Sequence, residues 1–354
     1  MRVALVAPGG FHPSGRVCVI PALLALAERL AARHRLDVFV PESGAPYSLR
    51  GAVVHPVGER YRDLGPALRS GAPIDVLHAV FADAAYPAMT RALRIGVPCV
   101  VSIGGGELAA LPEIGFGGAL TMRGRVKTAL TLLLADAVTV GSRFAAADLP
   151  AWVDARRVPL GIDAALFDAG PERPPGPPWR LLHVASLNAV KDQRMLLTAF
   201  ALASAEEDMS LDVAGEDTLD GAMKGLAESL GLSTRVTFHG FLENESLVPL
   251  YRAAHLHVLS SRYESQAVVV SEAAAASLPT VGTAVGVLPE LAPAAAAAVA
   301  PGDAAALAAA LVSLLRDEPR RHAMGRAARS WARAHDAAAT AAALEAIYRE
   351  VARP

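Results

Sequence analysis

Only two of the 354 residues are cysteine. Cys18 and Cys99 each sit in an apolar run, which argues against a disulfide-stapled scaffold and predicts buried thiols in a reducing compartment. Charge is nearly balanced, 33 Lys and Arg against 35 Asp and Glu, so the basic surplus that marks a nucleic-acid partner is missing. The 10 histidines are scattered, without close spacing to acids or cysteines, and no metal-ligand cluster is expected. The N-terminus lacks a charged leader with a long apolar core and reads instead as a strand, residues 2–7. The longest alanine-rich tract, Leu291 to Leu315, is broken by Pro293, Pro301, Gly302 and Asp303, which excludes one bilayer-spanning helix. These absences predict a cytoplasmic protein, with contact at the inner face of a membrane left open.

The length suffices for two α/β domains, each with its own core. Short apolar strands recur at Leu36 to Val40, Ala52 to Val57, Asp75 to Ala79, Pro98 to Ile103, Ala137 to Val140 and Arg157 to Leu160. Helical patterns separate most of them, including Val17 to Arg33, Phe81 to Arg94 and Ala119 to Leu134. Alternation of this kind calls for a parallel sheet covered on both faces, a Rossmann-like half. Residues 169–179 hold five prolines and two glycines and read as a semi-rigid linker after a first domain of residues 1–168. The pattern restarts at Arg180 and continues through Leu211 to Ala214, Arg235 to Phe238, His255 to Leu259 and Thr280 to Gly282, a second domain of residues 180–334. From Asp303 the pattern is helical, and Trp331 to Val351 is predicted as one final amphipathic helix, with residues 335–354 set apart as a C-terminal segment.

The most informative stretch runs from Ser260 to Glu272. A strand-like run leads in and a helix-like run, Ala267 to Ser277, leads out. Glu264 therefore falls in the strand-to-helix turn and Glu272 about a turn and a half into the helix. That turn lies at the carboxyl end of a strand, where open α/β sheets bind ligands. The E-x7-E pair, with Pro279, Gly286, Pro289 and Glu290 downstream, resembles the signature of GT4-type retaining glycosyltransferases, the glycosyl transferases group 1. The resemblance implies the GT-B architecture, two Rossmann-like parallel-sheet domains facing a central cleft. It also implies transfer of a sugar from a nucleoside-diphosphate sugar to an acceptor hydroxyl, with no metal or other cofactor. The first domain would take the acceptor and the second the donor, and the last helix would pack back on the first.

Residue roles follow by motif position. Glu264 is assigned to the hydroxyls of the transferred sugar and Glu272 to the ribose, since ionised carboxylates accept hydrogen bonds and sugars offer paired donors. The main chain of Ser265, Gln266, Ala267 and Val268 would lie near sugar and diphosphate. Lys191, just past a strand at the opening of a helix, is placed to neutralise the leaving diphosphate, with Ser186 and Asn188 in the same loop. Gly9 and Gly10, between the first strand and helix, read as a phosphate or sugar cradle, or as a plain tight turn.

Two departures from the family pattern stand out. Ser186 occupies the place of a common arginine, for which Arg262 and Arg194 are candidate substitutes. Glycines 104–106 occupy the place of a common histidine, which leaves Gly105 and Glu107 as acceptor-side candidates. The segment Arg123, Arg125, Lys127 followed by Leu130 and Leu132 to Leu134 reads either as a membrane-docking face or as leucines facing the sheet and cations facing water. Rival functions are a nucleotide-sugar epimerase or hydrolase of the same architecture and a non-catalytic sugar-nucleotide binding protein. Base, sugar, acceptor (glycan, lipid-linked sugar or small molecule) and oligomeric state are not legible.

Overall fold

The structure, a computed structural model, describes residues 1–15, 20–168, 173 and 175–352. Cys18, the start of the helix predicted from Val17 and much of the proline-rich linker lie outside the described residues. The chain forms two compact units, Met1–Ile162 together with His335–Pro354, and Asp163–Ala334.

The first unit is built on an eight-stranded sheet. Its strands are β1 (Arg2–Val6), β2 (Arg35–Val40), β3 (Tyr47–Leu49), β4 (Ala52–Pro56), β5 (Val76–Val80), β6 (Cys99–Ile103), β7 (Ala137–Val140) and β8 (Ala155–Arg157). They lie in the order β3-β4-β2-β1-β5-β6-β7-β8. All neighbours are parallel except β3 and β4. Every residue of β1 and β5 is buried, as expected for strands covered on both faces by crossover helices. The β3–β4 hairpin escapes the alternation rule because its two-residue turn is Arg50-Gly51, both at positive φ (48° and 84°). Hairpin turns of this type usually announce themselves with Asn-Gly or Asp-Gly.

The predicted single helix at the C-terminus is two helices, Glu318–Ala334 and Ala337–Val351. Asp336 breaks them by accepting from the Ala339 N–H at 2.8 Å, a local cap that competes with continued helix. The second helix belongs to the first unit. It packs against the helix Pro21–Ala31, buries Tyr348 with its hydroxyl 2.6 Å from His78 Nδ1, and ties Thr340 to Pro159 and Gly161.

The second unit carries a six-stranded, wholly parallel sheet in the order β11-β10-β9-β12-β13-β14. The strands are β9 (Trp179–Val184), β10 (Met209–Ala214), β11 (Val236–Gly240), β12 (Leu256–Leu259), β13 (Thr280–Thr283) and β14 (Ala296–Val299). The chain winds outward from β9 to β11, then returns to the other side of β9 for β12 to β14. This is the doubly wound order, and its reversal lies between β9 and β12. Leu181, Phe200, Leu211, Val258, Leu307 and Leu311 form part of the core beneath it.

Residues 163–168 were expected to close the first domain but are held by the second unit. Phe167 is buried with its ring edge-on to Tyr251 at 5.4 Å, and the Asp168 carboxylate is paired with Arg329 and Arg333. The chain therefore leaves the first unit at Ile162, before the proline-rich segment. Trp179, placed in the linker by composition, opens β9 instead. Among the described residues, no helix is long and apolar enough to cross a membrane.

Candidate active site

At the reversal between β9 and β12, two loops leave the carboxyl ends of adjacent parallel strands on diverging courses, which opens a crevice for ligand. These loops carry Lys191 and Glu264. They are sewn together by Arg262 N–H donating to Val190 O at 2.8 Å and Ser260 Oγ donating to Lys191 O at 2.7 Å. A third loop, after β13, joins them. Thr283 Oγ1 donates to Ser261 O at 2.7 Å and Val287 N–H to Gln266 O at 2.9 Å. Gly286 makes that approach feasible, because a Cβ there would stand 2.5 Å from Gln266 O and 3.1 Å from Glu264 Cβ, and its φ is +60°. The sequence signature of Glu264 and Gly286 is thus one steric unit.

Lys191 Nζ donates to Glu264 Oε1 at 2.5 Å, and Ser261 Oγ donates to the same oxygen at 2.7 Å. Both side chains of the ion pair are only partly exposed, 25% for the lysine and 12% for the glutamate, so the pair is largely withdrawn from bulk water. An ammonium has three N–H donors and a carboxylate about four acceptor sites. Neither is exhausted by this contact, so Lys191 can add a phosphate oxygen and Glu264 a sugar hydroxyl without parting. Ala267 is left-handed (φ +67°) and supplies no side-chain cap to the helix Val268–Ala275. The first-turn amides of that helix open beside Glu264, with Ser265, Gln266 and Ala267 buried around it.

Three residues that sequence reasoning missed position the lysine loop. Gln193 is buried, accepts from Asn188 N–H at 3.2 Å and donates to Ser186 O at 3.1 Å. Asn188 Oδ1 in turn accepts from Lys191 N–H at 3.2 Å. His183 lies behind, with Nδ1 2.9 Å from Val258 O and Nε2 3.2 Å from Gln193 Nε2. A carbonyl only accepts, so Nδ1 carries the proton and Nε2 accepts from the amide. Burial pushes the His183 pKa down to about 4, which keeps that tautomer neutral. Asp192, left-handed at φ +48°, caps the helix Gln193–Ser204 through Met195 N–H and pairs with Arg262 at 2.8 Å. A histidine inside the apolar strand Leu181-Leu182-His183-Val184 was the one available signal. Of the two candidate substitutes for the absent arginine, Arg262 pairs through Nε with Asp192, while Arg194 projects from the exposed side of its helix.

Glu272 is not a solvent-facing glutamate. It is buried, and Tyr251 Oη donates to its Oε2 at 2.7 Å. Burial raises its pKa from the ordinary 4.5 to about 7, with the tyrosine bond pulling the other way. The folded acid holds its proton longer than the unfolded one, so stability is unaffected below about pH 4.5 and falls as pH rises toward 7. The loss is on the order of 3 kcal/mol. Glu272→Gln keeps an acceptor for Tyr251 and removes the titration. Its thermal midpoint is expected to lose much less than that of the parent between about pH 5 and pH 8; parallel curves would refute this placement of the charge.

In the first unit, Gly9 and Gly10 follow β1 beside its own reversal with β5. Gly10 is a packing glycine, since a Cβ would stand 2.7 Å from the Ile20 side chain, whereas among the described residues a Cβ on Gly9 would meet Glu42 Oε1 at 3.9 Å, ordinary van der Waals contact. The place of the absent histidine is filled: the Phe81 ring would be 2.4 Å from a Cβ on Gly104, and the Phe116 ring 2.6 Å from one on Gly106. Glu107 is buried and accepts from Gly105 N–H at 2.7 Å, so it shapes this loop. Among the described residues no group of three or more His, Cys, Asp or Glu is arranged to hold a metal. Cys99 is buried, and burial pushes its thiol pKa up to about 12.

Residues 168–331 match the family model described as Glycosyl transferases group 1. Mannosylfructose-phosphate synthase of Agrobacterium fabrum is 36% identical over 112 residues, 29% of this chain and 25% of that protein. The chain thus spans about a quarter of the length of that relative. Sucrose-phosphate synthase from Thermosynechococcus elongatus superposes with a TM-score of 0.81 at 22% identity, covering 99% of this chain and 98% of the other. Anabaena HepE, solved in complex with UDP and glucose, superposes with a TM-score of 0.78 at 18% identity, covering 99% and 100%. The fold is therefore GT-B, and residues 168–331 are similar to the glycosyl transferases group 1 family.

Proposed function

We propose that this chain is a retaining glycosyltransferase that moves a sugar from a nucleoside-diphosphate sugar to an acceptor hydroxyl of a glycan, lipid-linked sugar or small molecule. It acts in the cytoplasm and needs no metal ion. The observation that carries the reading is the Lys191–Glu264 contact at the reversal between β9 and β12. A cation for a leaving diphosphate and an acceptor for sugar hydroxyls stand one hydrogen bond apart there. Ribose hydroxyls donating to Glu272 favour its ionised form and so offset the cost of burying that charge. As the bond from the anomeric carbon to the diphosphate oxygen breaks, Lys191 and main-chain N–H groups stabilise the charge that develops. The acceptor oxygen bonds to the same face of that carbon and passes its proton to a diphosphate oxygen. No enzymic nucleophile is required.

The test is a calorimetric titration of the protein with UDP, GDP, ADP and TDP in EDTA, followed by incubation of the matching sugar nucleotides with candidate acceptors. HepE bound to UDP and glucose supports a uridine nucleotide as the first to try. Selective binding of one diphosphate and a new glycoside bond of unchanged anomeric configuration are expected. Binding to none, by folded protein, would overturn the donor site; nucleotide release without a glycoside product would favour an epimerase or hydrolase.

A further inference from the structure

The helix Met122–Leu134 of the first unit is helical by its own logic, with Thr121 capping it through Gly124 N–H. Its burial departs from the reading in which the leucines face the sheet. Thr131 and Leu132 face inward, while Met122, Val126, Leu130, Leu133 and Leu134 are exposed, Met122 at 72% and Leu133 at 66%. At ~100° per residue, positions 122, 126, 129, 130 and 133 fall within an arc of about 100°. Arg125 flanks that arc on one side and Arg123 and Lys127 on the other. The neighbouring helix Ala82–Ile95 adds exposed Tyr86 and Leu93, seven residues apart on one stripe, with Arg94 beside them. No acidic residue occurs between residues 118 and 135. An apolar stripe between rows of cations is the pattern of a helix lying in a lipid interface, its apolar side chains in the acyl boundary and its cations among anionic headgroups.

We infer that this face docks the first unit on an anionic lipid surface. A second copy seated on the same patch would bring Arg123, Arg125 and Lys127 against their own counterparts, which charge opposes. A polyanion alone would leave the apolar stripe in water. Docking is independent of the transfer chemistry, so the outcome here and the outcome for the donor site are separable.

The experiment is co-sedimentation of the full chain with vesicles of phosphatidylcholine alone and of phosphatidylcholine carrying phosphatidylglycerol as the minor component. Binding to the anionic vesicles only is expected, weakening as salt is raised. Arg123→Gln with Lys127→Gln should weaken it about 25-fold, at roughly fivefold per charge. Met122→Glu with Leu133→Glu should abolish it. Both positions are exposed, so circular dichroism and the thermal midpoint should be unchanged. Failure to bind anionic vesicles, or binding indifferent to Met122→Glu with Leu133→Glu, would overturn the proposal. So would a lipid-free dimer in sedimentation velocity that this double variant converts to monomer.

Discussion

Replacing Glu264 by Gln is expected to lower kcat on the order of a hundredfold or more while changing nucleoside-diphosphate affinity less than about threefold. The amide oxygen still accepts from Lys191 and Ser261, which hold Glu264 Oε1 at 2.5 and 2.7 Å, so the loop should keep its shape. What disappears is the negative charge and the second acceptor oxygen, now a donor facing the sugar's own hydroxyl donors. Those contacts matter most as positive charge builds on the sugar ring, so the loss falls on turnover. Initial rates with the donor identified by titration, beside calorimetry with the free diphosphate, separate the effects. Unchanged turnover would remove Glu264 from the chemistry; an equal loss of diphosphate affinity would make it a nucleotide contact.

Lys191→Ala is expected to weaken diphosphate binding about ten- to hundredfold, the worth of one hydrogen bond to a charged group. The parent nucleoside, without phosphates, should bind both proteins equally. Folding should be little affected, because the Lys191 side chain is one quarter exposed and Glu264 keeps the Ser261 hydroxyl. Isothermal titrations with nucleoside and diphosphate give the comparison. Equal diphosphate affinities would show that Lys191 serves only to orient Glu264, and a parallel loss for the nucleoside would point to damage in the loop held by Gln193.

Much of the site was legible because its residue types are chemically constrained. Glu264, Gly286 and Lys191 stand at strand-to-helix turns, and such turns are set by a few consecutive residues. The partners that hold them were not legible. His183 reaches Gln193 across ten residues and Tyr251 reaches Glu272 across twenty-one; each contact exists only because strands and crossover helices stack side by side. Glycines 104–106 read as a gap where a functional side chain was missing. The structure fills two of those places with the rings of Phe81 and Phe116, which no local pattern announces. Glu107, a candidate for the acceptor side, accepts from Gly105 N–H within its own loop.

The alanine-rich tract shows where local preference fails. Ala296–Val299 is a run of good helix formers, yet it is strand β14, paired in parallel with Thr280–Thr283. Small side chains fit under the covering helices, and the edge of β13 offers backbone partners that only the assembled sheet supplies. Likewise, the apolar stripe of Met122–Leu134 is visible in the sequence, but which face it turns to solvent is not.

The sequence by itself determined two α/β halves, the carboxylate-bearing turn after β12 and the cationic loop after β9, because apolar periodicity and helix openings act over a few residues. The tertiary structure alone decided that β9 and β12 are neighbours, bringing Lys191 to within a hydrogen bond of Glu264 across seventy-three residues. It alone decided that Glu272 is buried against Tyr251, and that the chain leaves the first unit at Ile162. Strand order and burial are settled by the packing of the whole unit, where many weak contacts act together and no single segment carries the choice.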